Sequence, residues 1–144
     1  MAVVAARARP PPLSAISGSP RVLVEPFTTE GKPGSWIVRW RLANDGDRPI
    51  RLLSAQHPHS QFRTPGTPVD RDLAPGAATL VDLPVRFSES PGTIVENPFL
   101  ILLFREGQTW RLLARVRVTA GPKGEPLAGQ SVVVTIQKVA DSRV

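Results

Sequence analysis

The chain has no cysteine, no tyrosine, one methionine and two histidines among its 144 residues. Without cysteine there is no disulfide and no thiolate nucleophile, and the chain suits a reducing compartment. No apolar stretch approaches the roughly 18–20 residues of a membrane span. A secretory signal sets positive charge ahead of its apolar run. Here Ala2–Ala6 precede Arg7 and Arg9, and Pro10–Pro12 follow at once. The expectation is therefore a cytoplasmic protein with no transmembrane segment. Residues 1–20 form a flexible Pro/Ala/Arg-rich leader, residues 21–139 one folded domain and residues 140–144 a short tail. A domain of this size buries roughly 68–70% of the surface its unfolded chain exposes, enough for a core without staples.

Helical periodicity is nearly absent too. What is present is proline, 16 residues of it, and arginine, since only Lys32, Lys123 and Lys138 among the 18 cationic side chains are lysines. The net charge is +6. An arginine excess suits a phosphate, an acidic protein or an anionic surface. GC-rich coding, which favours Arg, Ala, Pro and Gly together, accounts for the same excess without function.

Between prolines and glycines the apolar residues alternate with period two, the mark of a strand with one buried face. In Ser35–Ala43, Trp36, Val38, Trp40 and Leu42 oppose Ile37, Arg39 and Arg41. In Thr109–Val118, Trp110, Leu112, Ala114, Val116 and Val118 oppose Arg111, Leu113, Arg115 and Arg117. Thr79–Phe87 repeats the scheme, with Pro84 placing it at an edge or a bulge. Ser131–Lys138 directs Val132, Val134 and Ile136 inward. Phe99–Phe104, FLILLF, is apolar on both faces and belongs in the centre of a sheet with its second face covered. Arg21–Phe27, stopped by Pro26 and the turn-rich TTEGKPG, and Pro49–Ala55 complete the set. Glu106-Gly107 makes a hairpin of FLILLF and the Trp110 strand. The expectation is an all-β, antiparallel sandwich of about seven strands. Trp36, Trp40 and Trp110 occupy its core with Phe99, Ile101 and Leu103.

"WIVRWRLANDGDRPIRLL" followed by "LAPGAATLVDLPVRF" resembles bacterial immunoglobulin-like and fibronectin-III-like sandwich modules. In those modules a long strand leads through an Asn-x-Gly turn to a short strand, and a later apolar-x-Pro-Gly turn opens another. The matching residues are Asn44 and Gly46, then Leu73, Pro75 and Gly76. The resemblance spans residues 21 to 139 and implies an immunoglobulin-like fold with a binding or spacer role and no catalytic residues. The paired cysteines and tyrosine corner of antibody domains are missing.

Both histidines lie in HPHSQF, residues 57–62. His-x-His on a strand sets two imidazoles on one face, about 6–7 Å apart by the strand rise. That pair suits zinc or copper. A third ligand would be a carboxylate, Asp70 and Asp72 being nearest in the chain across TPGTP, and Met1 is the only thioether. The competing reading is a solvent-facing strand end or loop. Ser60 beside His59 points to the opposite face, the wrong geometry for a nucleophile and its base. No Gly-x-Ser-x-Gly elbow exists. A calcium loop over residues 45–56 would end in Gln56 rather than glutamate, so NDGD reads as a turn. Glu96-Asn97-Pro98 reads as a bend, with Asn97 extended and Glu96 at the rim, against the alternative of a buried functional carboxylate.

Arg39, Arg41, Arg111, Arg115 and Arg117 form the most highly charged pattern. If their strands share a sheet, one outer face carries five guanidiniums. The tryptophans point the other way, so base stacking and sequence-specific nucleic-acid recognition are disfavoured. The competing reading is a solvated face whose arginines pair with acids, each exposed pair worth ~0–1 kcal/mol. The sequence thus points to a non-catalytic binding or assembly module for a protein or anionic partner, through these five arginines. It calls for no cofactor. The alternative is a metal-binding domain centred on His57 and His59.

Overall fold

The computed structural model describes residues 19–139. The expected tail at 140–144 lies outside the described residues, as does the leader apart from Ser19 and Pro20. The described chain is all β, and its strands in order are β1 (Val22–Lys32), β2 (Ser35–Asn44), β3 (Ile50–His59), β4 (Phe62–Leu73), β5 (Ala78–Val85), β6 (Ile94–Val95), β7 (Phe99–Glu106), β8 (Gln108–Arg115), β9 (Val118–Ala120), β10 (Pro126–Ala128) and β11 (Val133–Lys138). All pairings are antiparallel. They build a three-stranded sheet β1-β2-β5, a five-stranded sheet β11-β8-β7-β3-β4 and a small sheet β10-β9-β6. No helix among the described residues is long and apolar enough to cross a membrane.

The two larger sheets share one hydrophobic core. The alternation in β2 buries Trp36, Val38, Trp40 and Leu42, and that in β5 buries Val81, Leu83 and Val85. Against them pack Leu52 of β3, Leu100, Leu102 and Phe104 of β7, and Trp110, Leu112 and Ala114 of β8. Each of the valines, leucines and the phenylalanine contributes roughly 1.5–3 kcal/mol on leaving water. The hairpin of β7 and β8 forms as expected, its turn closed by Gly107 at φ 75°.

Several expectations are corrected. Among the described residues eleven strands stand where about seven were expected, and the largest omission is β4. Pro65, Gly66 and Pro68 are turn-forming residue types, yet they lie inside this twelve-residue strand. Proline is tolerated there because β4 is a sheet edge, paired along its length with β3 and bridged on its other side at Arg63–Arg86, and two register shifts absorb the irregularity. The same holds for β1. It continues past Pro26 to Lys32 because the register shifts between Pro26 and Thr28, leaving Phe27 as the extra, exposed residue.

FLILLF is central in its sheet, as expected, but its inward face is the other one. Leu100, Leu102 and Phe104 are buried, whereas Phe99, Ile101 and Leu103 are half-buried on the outside. The hairpin register decides this. Phe104 pairs with Trp110, so the core face of β8 and the even-numbered face of β7 are the same face. Val132, just before β11, and Ile136 within it pack against the core, but Val134 is 37% exposed. Asn97, expected to be extended before Pro98, adopts φ 67°, and Glu96 beside it is exposed.

The two turn motifs that carry the immunoglobulin-like resemblance meet in space. The buried Asn44 side chain donates through Nδ2 to the carbonyls of Arg48 (2.7 Å) and Leu73 (3.0 Å), and its Oδ1 accepts from Gly46 N (3.0 Å). Its backbone pairs with Ala77 O and Gly76 N. One side chain thereby ties the β2–β3 turn to the β4–β5 turn.

Candidate binding surface

His57 lies in the interior, not at the surface. It is fully buried, while Pro58 is exposed and His59 partly so. Its Nε2 accepts the indole N–H of Trp40 at 3.0 Å, and its Nδ1 lies 2.7 Å from Thr64 Oγ1. The Thr64 hydroxyl donates to Pro84 O at 2.7 Å. An Nε2 that accepts from Trp40 carries no proton, so the neutral ring holds its proton on Nδ1 and donates it to Thr64. Burial pushes the His57 pKa down to about 3. His59 accepts the Gln61 backbone N–H at Nδ1. The structure therefore separates the two histidines by environment and engages both ring nitrogens of His57 within the protein. Among the described residues no group of three or more His, Asp or Glu side chains converges on a metal-sized space.

The five arginines are not gathered on one face. Arg39 and Arg41 lie on β2 in the three-stranded sheet, Arg111 and Arg115 on β8 in the five-stranded sheet, and Arg117 just beyond it. Three of them meet carboxylates. Arg39 grips Asp82 with two bonds, at 2.5 and 3.0 Å, which raises the guanidinium pKa and lowers that of Asp82. Arg41 reaches Glu25 at 3.3 Å, and Arg117 reaches Glu96 at 3.1 Å. The Arg111 and Arg115 guanidiniums meet no partner among the described residues.

Those two unpaired arginines share their face with the apolar residues that the core leaves out. Directly opposite residues on antiparallel strands point to the same side. Phe99 is opposite Arg115, Ile101 opposite Leu113, and Leu103 opposite Arg111. Beyond β8, Val133 lies opposite Arg115. The outer face of the five-stranded sheet thus carries an apolar row, Phe99–Ile101–Leu103, with Leu113 beside it and Val133, 52% exposed, at one end. Arg105, which alternates with the buried Phe104, extends the row and has no ion pair among the described residues. Arg51 on the same face is held by Asp72 at 3.0 Å. At the Val133 end an open cavity of about 530 Å³ is lined by Arg115, Arg117, Glu96 and Asn97.

The chain matches no protein-family model and no curated protein sequence.

Sequence reading identified Arg111 and Arg115 but missed the apolar row beside them. A signal for the row was present. A tight Gly107 turn sets Phe104 against Trp110, and counting back from that pair assigns Leu103, Ile101 and Phe99 to the arginine side. Nothing local marks which arginines are left unpaired, because their acids would come from strands distant in sequence.

Proposed function

We propose that this chain is a non-catalytic binding module with immunoglobulin-like topology, which docks an acidic protein surface on the outer face of its five-stranded sheet. In chain order, β1-β2-β5 beside β4-β3-β7-β8 follows the A-B-E and C′-C-F-G arrangement of immunoglobulin-like sandwiches, which supports the fold assignment. The observation that carries the function is the apolar row Phe99–Ile101–Leu103 lying beside Arg111 and Arg115 and continued by Arg105, three guanidiniums with no ion pair among the described residues.

Each part has a physical task. Half-buried apolar side chains gain roughly 25 cal/mol per Å² when a partner removes them from water. Guanidiniums beside them steer an acidic partner and select against a basic one, and arginine is enriched among the residues that dominate interface energies. Arg39, Arg41 and Arg117 are neutralised locally and have less to offer a partner.

The test is affinity capture on the immobilised chain, followed by mass spectrometry. Ile101→Ser and the double substitution Arg111→Glu/Arg115→Glu are compared with Arg41→Glu on the opposite sheet. A protein retained by the wild type and by Arg41→Glu, lost with both face variants and released by rising salt, is the expected result. Retention unchanged in both face variants overturns the reading.

A further inference from the structure

A second pair of arginines without partners among the described residues lies at the β4 edge of the five-stranded sheet, where the edges of the two larger sheets meet. Arg63 of β4 and Arg86, one residue past β5, form an isolated antiparallel bridge. Arg63 N donates to Arg86 O at 3.1 Å, and Arg86 N donates to Arg63 O at 2.8 Å. Residues that exchange both bonds are directly opposite, with Cα atoms about 5.5 Å apart and side chains on one side. Their neighbours Phe62, Thr64, Val85 and Phe87 are buried, so both arginines point outward.

Like charges directly opposite one another are destabilising. Neither guanidinium has an ion pair or hydrogen bond among the described residues. Both line an open cavity of about 560 Å³ whose described lining contains no carboxylate. Its lining includes Ile37, Pro65, Pro84 and Ser35. The pair is also held in place from within. The Thr64 hydroxyl fastens β4 to Pro84 O, one residue from Arg63 and two from Arg86, and Thr64 is in turn held by the buried His57. Backbone and core thus hold the two arginines opposite each other, and no described carboxylate meets either guanidinium.

We propose that Arg63 and Arg86 form a binding site for a phosphate group. Two planar guanidiniums offer paired N–H donors to the oxygens of a tetrahedral dianion and neutralise both its charges. The apolar wall beside them suits the organic part of a phosphate monoester, and the same guanidiniums serve inorganic phosphate. This site is separate from the protein-docking face, and each stands or falls alone.

The experiment titrates the full chain with inorganic phosphate and with phenyl phosphate at low ionic strength, followed by calorimetry and ³¹P NMR. Saturable binding of one phosphate per chain is expected, weakened roughly tenfold or more in Arg63→Gln and in Arg86→Gln. Arg63→Lys keeps the charge but loses the fork, and it too binds more weakly. In anion-free buffer Arg63→Gln melts at a higher temperature than the wild type, because the repulsion is gone, which also shows that the variant is folded. Tighter binding of phenyl phosphate identifies a monoester as the ligand class, and equal binding identifies free phosphate. Absence of saturable binding by either probe overturns the site. So does equal weakening by Arg111→Gln/Arg115→Gln, which would mean diffuse attraction to a basic protein.

Discussion

Trp40 donates its indole N–H to Nε2 of His57, 3.0 Å away, and the bond joins the three-stranded sheet to the five-stranded sheet through the buried core. The chain of donors continues from His57 to Thr64 and from Thr64 to Pro84 O, returning to the three-stranded sheet. Every polar atom in it has a partner, and no buried side-chain nitrogen or oxygen among the described residues is left without one. A satisfied buried network of this kind specifies one register between two sheets, where apolar contact alone tolerates sliding.

That network makes stability depend on pH. Burial lowers the His57 pKa from 6.5 to about 3. Between those values the unfolded chain takes up a proton that the folded chain refuses. Stability is therefore full above pH 6.5, falls as pH drops below it, and the loss from this group is complete near pH 3. The expected loss is a few kcal/mol. Urea denaturation across that range, compared with His57→Gln, measures it. A wild-type slope no steeper than that of His57→Gln would refute it.

Removing one end of the network leaves a buried polar atom unpaired. Trp40→Phe strips the donor from His57 Nε2, and Thr64→Val strips both the acceptor at Nδ1 and the donor to Pro84 O. Each is expected to cost at least about 1–3 kcal/mol in chemical denaturation. Their effects should be non-additive in a double-mutant cycle, because the two substitutions share His57 as a partner.

Asn44→Asp is isosteric but reverses the chemistry. The Nδ2 amide donates to two carbonyl oxygens, and a carboxylate in its place would face both of them without a donor. A loss of about 2–4 kcal/mol at neutral pH is expected. The deficit should shrink in acid, where the protonated carboxyl regains one O–H donor. A denaturation series at two pH values reads both effects.

Adjacent leucines on β7 separate the two faces of the central strand. Leu102 is fully buried, and Leu102→Ala is expected to cost about 2–5 kcal/mol. Leu103 is half-buried on the outer face, and Leu103→Ala is expected to cost about 1 kcal/mol or less while weakening partner capture. Denaturation midpoints for the two variants, set beside their capture yields, test the face assignment directly.

Much of the strand framework was legible in the chain. Period-two alternation places Trp36, Val38, Trp40 and Leu42 on one side of β2 and Trp110, Leu112 and Ala114 on one side of β8, and all are buried. The FLILLF hairpin followed from Glu106-Gly107 in the same way. These readings hold because side-chain direction in a strand depends only on neighbours in sequence. β4 was not legible. Pro65 and Pro68 break a strand in any local reading, and only its edge position, where the ladder is one-sided beyond the Arg63–Arg86 bridge, makes the strand possible.

The amino-acid order by itself determined that the chain is built of extended segments, where most of them turn, and which side of β2, β5 and β8 enters the core. Tertiary structure alone decided that Arg39 and Arg111 lie on different sheets, that Arg63 and Arg86 stand side by side, and that His57 lies between Trp40 and Thr64. Periodicity is a local property of the backbone, whereas a charge meets its counter-ion, or goes without one, through the pairing of strands far apart in the chain.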